Sequence, residues 1–145
     1  MKLAIAADHA GYQLKEQVKA NLLKQGYEVQ DFGTDSDKSV DYPDFIQPLA
    51  RAVENKEADM GVIMCGSGNG VNMTANKYQG VRSALCWTEE IAKLARQHND
   101  ANVIALPARF MEPEEAMKAV NTFINTGFEG GRHATRVNKI AKPNC

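Results

Sequence analysis

Several features that define large classes of proteins are missing from this sequence of 145 residues. Only Cys65, Cys86 and Cys145 carry thiols, and none of the three forms the CxxC spacing of zinc or thioredoxin-like sites. No apolar run approaches the roughly 20 residues of a membrane span, and the N-terminal segment meets acidic residues too early for a secretory signal. The net charge is only -1, which offers no long-range attraction to nucleic acid. These absences predict a single cytoplasmic domain, 1–145, with no disulfide framework, no membrane partner and no nucleic-acid partner.

Familiar catalytic and cofactor motifs are missing as well. No GK[ST] follows a glycine-rich loop, which excludes a P-loop, and Ser67 lacks the GxSxG spacing of a hydrolase. The dinucleotide fingerprint belongs after the first strand, where Asp8 and His9 stand instead. There is no HExxH, and the histidines and cysteines show no metal-ligand spacing. These absences argue against a metal site and against the common nucleotide-binding motifs.

What the sequence does contain is a repeated alternation of short apolar runs and amphipathic segments. Strands are predicted at 3–7, 27–32, 60–64, 81–86 and 103–106, and helices at 11–25, from 43, at 71–75, from 88, at 113–127 and at 132–142. No hairpin turn joins two of these strands, so successive strand-helix units predict an α/β fold, a Rossmann-like three-layer sandwich with a five-stranded parallel sheet. In the helix predicted from 88, Ile91, Leu94, Ala95 and His98 share one face, and Asn99 is the predicted terminator.

The segment 58–77 is the centre of the predicted site. An apolar strand ends at Cys65 and runs into Gly66-Ser67-Gly68-Asn69-Gly70, after which a short helix begins. Glycines allow backbone N–H groups to point inward at an anion, and a nearby helix start favours the thiolate form of a cysteine. Because ligands bind at the carboxyl ends of parallel strands, we expect this loop to meet Asp8, His9 and the loop around Arg109.

Structural explanations stand beside these functional ones. Free cysteines are among the most buried residues, and on spacing alone the glycine loop is equally well explained as a tight turn. His9 beside Asp8 is compatible with a turn residue, and His98 with a helix C-terminus stabilised by the macrodipole. Arg132 and Arg136 share one helix face, as a solvated surface pair does, although two guanidinium groups so placed also suit a phosphate.

Five motifs in order carry a resemblance to a known family. They are AADHAG near the start, DYPD at 41–44, CGSGNG followed by ANK, RQHNDANV at 96–103 and GGRHATRV at 130–137. Together they resemble the ribose-5-phosphate isomerase B family, which also holds the galactose-6-phosphate isomerase subunits. The resemblance spans nearly the whole chain.

The resemblance implies interconversion of ribose 5-phosphate and ribulose 5-phosphate, a step of the pentose phosphate pathway, without metal or cofactor. It also implies a homodimer or tetramer whose sites use residues of both subunits. Cys65 matches the base of one branch of the family, and Val71 stands where the other branch has a glutamate. The implied catalytic residues are Cys65, His98, Ser67 and Asp8, and the implied substrate-binding residues are Asp8, His9, Tyr42, Gly66, Ser67, Gly68, Asn69, Gly70, Asn99, Arg109, Arg132 and Arg136.

The implied roles follow the chemistry of aldose–ketose isomerisation. Cys65 would move the proton, the backbone of 66–70 would hold the enediolate oxygen, and Ser67 would exchange protons with the substrate oxygens. His98 would open the sugar ring, Asp8 and Asn99 would hold hydroxyl groups, and His9, Arg132 and Arg136 would clamp the phosphate with Arg109. Asp41 and Tyr42 would line the pocket.

Three alternatives remain open at this stage. The first is the same chemistry on a six-carbon sugar phosphate, allose or galactose 6-phosphate. The second is a noncatalytic sugar-phosphate sensor on the same fold, since fold does not fix function. The third is a redox-sensing role for Cys65.

Overall fold

The computed structural model describes residues 1–141, and the predicted helix end at Lys142 and the position of Cys145 lie outside that range. The strands are β1 (Lys2–Ala7), β2 (Glu28–Asp31), β3 (Met60–Cys65), β4 (Ser83–Leu85) and β5 (Val103–Pro107). The helices are α1 (Tyr12–Lys24), α2 (Pro43–Glu54), α3 (Asn69–Ala75), α4 (Glu89–Asn99), α5 (Pro113–Asn125) and α6 (Arg132–Ile140). All strand pairs are parallel, in the order β2-β1-β3-β5-β4, so the predicted α/β fold is confirmed.

Two apolar cores lie on the two faces of the sheet. Alternate residues of each central strand point to opposite faces, so Leu3 and Ile5 of β1 join one core while Ala4 and Ala6 join the other. Helices α1, α4 and α5 cover the first core, and α2 and α3 cover the second. Strands buried on both faces read as continuous apolar runs, which is why the sequence revealed them.

The face predicted for α4 is wrong in part. Ala95 is buried as expected, but Ile91 is 45% exposed, and the other buried residues of this helix are Ala92 and Arg96. Arg96 can be buried because its guanidinium group donates to backbone carbonyls, among them that of Ala101 at 2.6 Å. An apolar pattern in the sequence could not reveal a buried arginine.

Two boundaries also differ from prediction. Strand β4 keeps only three residues of the predicted 81–86, as an edge strand that pairs with β5 alone. Asn99 is the last residue of α4, and the left-handed C-cap that ends this helix is Asp100, with φ 46°. Thr88 is the N-cap predicted for α4, since its side chain accepts the N–H of Ile91.

Cys86 is a fully buried apolar residue, as predicted. Burial raises the pKa of its thiol to about 12, so this cysteine stays protonated and unreactive at neutral pH. In the part of the chain that is described, no helix combines the length and the apolar character that crossing a membrane requires.

Candidate active site

Asp8 and Cys65 are neighbours at the carboxyl edge of the sheet. Strands β1 and β3 pair with Ala7 opposite Met64, Asp8 follows directly after β1, and Cys65 is the last residue of β3. The N–H of Asp8 donates to the Met64 carbonyl at 3.3 Å, which continues the pairing by one residue. Adjacent strands are about 4.8 Å apart, so the register alone places a carboxylate beside a thiol. Both residues are largely buried, with exposures of 7% and 5%.

The Asp8 side chain organises the turn that leads into α1. Its Oδ1 atom accepts the N–H groups of Ala10 and Gly11 at 2.9 and 3.1 Å. Gly11 must be a glycine here, since an added Cβ would lie 2.7 Å from the Met64 carbonyl oxygen. The aspartate is therefore fixed by its own loop, which in turn packs directly on β3.

The glycine loop joins β3 to α3 and contacts the loop after β5. Gly68 is the N-cap of α3 with φ +78°, a conformation that glycine adopts without strain. Ser67 Oγ accepts the N–H of Asn69 at 3.3 Å. The N–H of Arg109 donates to the Gly66 carbonyl at 3.0 Å, and an added Cβ on Gly66 would lie 3.2 Å from Arg109 Nη1. The Arg109 side chain thus lies against the loop that follows Cys65.

Tyr42 and His9 form the other wall of this group. The Tyr42 ring lies against Gly70, where an added Cβ would come within 2.7 Å of both Cε1 and the hydroxyl oxygen. His9 Nδ1 accepts the N–H of Val40 at 3.2 Å, so a neutral His9 carries its proton on Nε2. Asp8, His9, Cys65, the loop 66–70 and Arg109 therefore meet at one edge, as predicted from the order of the strands, and Tyr42, which only the resemblance implied, lies beside them.

The remaining predicted residues lie at the opposite edge of the sheet. Helix α4 starts after β4 at the carboxyl edge and runs back for 11 residues, a length of about 16 Å, so His98 and Asn99 are at its far end. The chain then enters β5 from the amino edge, where the Asn102 carbonyl accepts the N–H of Gly61 at the start of β3. Arg132 begins α6 at the same end, since Glu129 N–H donates to the Gln97 carbonyl. Arg136 lies one turn further along α6, with both arginines exposed.

Sequence reasoning missed two neighbours of His98. Its ring stacks on His133, with centroids 4.3 Å apart and planes 10° apart, and its Nε2 lies 3.3 Å from Glu129 Oε1. Partial desolvation and the charges of His98, Arg132 and Arg136 lower the pKa of His133, against the opposing effect of Glu129. The signal available in the sequence was the i,i+4 spacing of Glu129, which directly precedes the GGRHATRV motif, and His133 within it.

Among the described residues, these three side chains come nearest to forming a metal-binding site. The ligand atoms of His98, Glu129 and His133 all lie within 4.8 Å of one another. A metal ion sits in the plane of each imidazole that binds it, at about 2.0 Å from the nitrogen. In two stacked, nearly parallel rings those planes run side by side, so as arranged the two histidines do not converge on one ion.

The fold and the sequence have close counterparts among known proteins. The model of the ribose/galactose isomerase family matches residues 3–140. Ribose-5-phosphate isomerase B of Escherichia coli is 41% identical over 139 residues, covering 96% of this chain and 93% of the relative.

Two solved structures are similar over nearly their whole length. Ribose-5-phosphate isomerase B of Clostridium thermocellum is 48% identical with a TM-score of 0.96, covering 97% of this chain and 95% of that one. The enzyme of Mycoplasma genitalium, solved with bound ribulose-5-phosphate, is 43% identical with a TM-score of 0.92, covering 97% and 93%. The chain therefore belongs to the ribose/galactose isomerase family and is an isomerase.

Proposed function

We propose that this protein interconverts D-ribose 5-phosphate and D-ribulose 5-phosphate, with Cys65 as the base. The observation that carries the proposal is the position of Cys65, beside Asp8 at a strand end and directly before a loop of three glycines. The relatives named ribose-5-phosphate isomerase B support the five-carbon substrate, and one of them holds ribulose-5-phosphate. Membership of an isomerase family disfavours a noncatalytic sensor.

The chemistry requires one proton to move between adjacent carbons. The Cys65 thiolate removes the proton from C2 of the open-chain aldose, which leaves an enediolate, and the thiol then returns it to C1. The proton of the C2 hydroxyl moves to the oxygen on C1, so the ketose forms with no net gain or loss of atoms. Ser67 suits this exchange, because an Oγ that already accepts the N–H of Asn69 keeps its own proton for donation.

Negative charge on the enediolate oxygen needs donors that are already in place. The backbone of the loop 66–70 supplies them, with Gly68 in a left-handed conformation that turns the chain. Tyr42 and Arg109 lie against Gly70 and Gly66 and hold the loop from two sides. Preorganised donors of this kind stabilise the charge without rearrangement during the reaction.

We further propose that each active site is completed by a second copy of the chain. His98, Asn99, Arg132 and Arg136 are at the far edge of the sheet from Cys65, beyond reach of one small sugar phosphate bound there. A homodimer, alone or within a tetramer, would bring the far edge of one copy to the near edge of the other. His98 would then open the sugar ring, and the two arginines would hold the phosphate.

An exposed apolar surface at the near edge fits such a contact. Trp87 and Phe110, which follow β4 and β5, are 48% and 62% exposed and pack on each other with ring centroids 5.4 Å apart. Ile91, on the first turn of α4, is also exposed. A second copy would remove these side chains from water, with a gain in free energy of about 25 cal/mol for each Å² buried.

The decisive experiment measures kcat/KM on ribose 5-phosphate, allose 6-phosphate and galactose 6-phosphate side by side. The six-carbon sugars are included because the matching family is described as acting on both classes. We expect ribose 5-phosphate to be preferred and its C2 proton to exchange with deuterium from the solvent. A higher kcat/KM on a six-carbon sugar phosphate would assign that sugar phosphate as the substrate instead. Absence of exchange would overturn the proposed chemistry.

A further inference from the structure

The most deeply buried charged side chain of residues 1–141 belongs to Lys15, outside the site described above. Lys15 is fully buried in the first core, on the same face of α1 as Val18 and Leu22. A buried ammonium group is stable only with close partners. Its Nζ atom lies 2.6 Å from Asp31 Oδ2 and 2.8 Å from Glu16 Oε2.

Asp31 connects this buried charge to the turn that follows β2. Its Oδ2 atom also accepts a hydrogen bond from Lys19 at 2.8 Å, and its Oδ1 atom accepts the N–H of Gly33 at 2.8 Å. Burial alone would raise the pKa of Asp31, but the hydrogen bonds from Lys15, Lys19 and Gly33 outweigh burial and lower it. The carboxylate is therefore charged and fully engaged at neutral pH.

The turn anchored by Asp31 holds the end of β1. The Gly33 carbonyl accepts the N–H of Ala7, and the Ala7 carbonyl accepts the N–H of Thr34, both at 2.8 Å. Ala7 is followed at once by Asp8 and His9. These two bonds fix the backbone from which both site residues project.

Lys15 also supports the same loop from its other end. The N–H of Lys15 donates to the Gly11 carbonyl at 2.8 Å, and the N–H of Gly11 donates to Asp8 Oδ1. The segment 8–11 is thus held between β1, whose end is bound to the Asp31 turn, and α1, which carries Lys15. The Lys15–Asp31 ion pair therefore connects the two elements that hold the ends of the segment 8–11.

We propose that the Lys15–Asp31 pair is a positioning device that sets Asp8 and His9 for the sugar phosphate. The inference rests on the proposed function, in which both residues contact substrate. Displacing a binding group by about 1 Å can cost roughly 10²-fold in rate, so even a small shift of the loop has a measurable effect. Neither Lys15 nor Asp31 touches the substrate in this scheme.

The test must separate positioning from simple stability. Removing Asp31 alone would leave the buried Lys15 ammonium group without its closest partner, so the informative variant is Lys15→Met with Asp31→Leu, which replaces the ion pair by apolar side chains. We expect the double variant to keep a melting temperature near that of wild type while kcat/KM on ribose 5-phosphate falls at least about tenfold. Hydrogen exchange at the Ala7 and Thr34 amides should accelerate, because their anchor is lost.

Lys19→Met is the matched control, since Lys19 also bonds to Asp31 but stays partly exposed and leaves the Lys15 pair intact. The Lys19→Met variant should keep kcat/KM within about twofold of the wild-type value, and hydrogen exchange at the Ala7 amide should be as slow as in wild type. Wild-type kcat/KM and exchange in the double variant, or equal losses in the control, would overturn the proposal. If the wild-type protein fails to isomerise ribose 5-phosphate, the proposed function fails instead. Amide exchange and calorimetric binding of ribose 5-phosphate would then still test whether the Lys15–Asp31 pair positions Asp8 and His9.

Discussion

Cys65 and His98 lie at opposite edges of the parallel sheet, separated by roughly the 16 Å length of α4. A proton-transfer site needs its groups within hydrogen-bond reach of one substrate, about 3 Å from the reacting atoms. Cys65 and His98, two of the residues that the family resemblance assigns to catalysis, therefore cannot serve the same substrate within one copy.

Replacing Cys65 by alanine should reduce kcat by about 10² to 10⁴, because the base is lost while the groups that bind substrate remain. Cys86→Ala is the matched control, since Cys86 is a buried thiol whose raised pKa keeps it unreactive. Steady-state kinetics on ribose 5-phosphate would measure both. Near-normal kcat in Cys65→Ala would remove Cys65 from the chemistry.

Replacing Arg132 or Arg136 by alanine should raise KM for ribose 5-phosphate more than it lowers kcat. The reason is that each guanidinium group would bind the phosphate, which does not react. Lys139→Ala provides the control, because Lys139 is an exposed cation on the same helix. Unchanged KM in both arginine variants would exclude them from the site.

Mixing two inactive variants should restore activity if each site is built from two copies. Cys65→Ala and His98→Ala place their defects at different edges, so a mixed dimer holds one site with both residues intact. After random exchange of subunits, activity should recover to about a quarter of wild type. Unfolding and refolding the mixture before assay allows the exchange, and each variant treated alone is the control. No recovery in a mixture that has exchanged would contradict the shared site.

Gly70→Ala should weaken substrate binding, because the new Cβ would overlap the Tyr42 ring and push it away from the loop. We expect KM to rise by roughly tenfold, in line with a displaced binding group. Gly127→Ala is the comparison, since an added Cβ there meets no atom of residues 1–141 within 4 Å. Equal kinetics for the two variants would show that the Tyr42 contact is unimportant.

The Lys15–Asp31 pair should make stability depend on pH in a defined direction. Asp31 has a lowered pKa in the folded protein, so its contribution is complete above the ordinary value of 3.8 and is lost as the pH falls through the lowered pKa. Asp31→Asn should cost about 2 kcal/mol near neutral pH, since the carboxylate is partly exposed and Glu16 still pairs with Lys15, and progressively less in acid.

Urea unfolding of Asp31→Asn and of wild type, at several pH values between about 3 and 7, would measure the difference in their free energy of unfolding. Glu28→Gln serves as the control, because Glu28 pairs with Lys2 only at 4.0 Å on the surface and should cost less than about 1 kcal/mol. A cost of Asp31→Asn that stays constant into acid would contradict the assignment.

The residues at the carboxyl edge of the sheet could be grouped from the sequence, because their positions follow from the order in which the chain connects the strands. Asp8, Cys65 and Arg109 each lie at or just after the end of a buried strand, and parallel strands end at a common edge. Tyr42 depended on the family resemblance, since nothing in its spacing indicates that its ring lies against Gly70. The assigned chemical roles of all these residues stay predictions.

The distance of the residues at the amino edge of the sheet from Cys65 could not be predicted from the sequence. The spacing of Arg132 and Arg136 placed them on one helix face, but their distance from Cys65 depends on the direction in which α4 runs back along the sheet. Glu129 and His133 were overlooked because their contacts with His98 join α4 to a segment far along the chain, before and within α6. Lys15 was overlooked because a lysine on an apolar face is ordinarily assumed to reach solvent.

The sequence by itself determined the order of strands and helices, the parallel sheet and the loop that follows Cys65, because these depend on local periodicity and on short connections. Only the tertiary structure decided that the predicted site residues fall into two groups, and that the buried Lys15 forms an ion pair with Asp31. Both depend on which surfaces pack together across segments far apart in the chain. A local pattern carries no information about such distances, whereas the packed sheet fixes them.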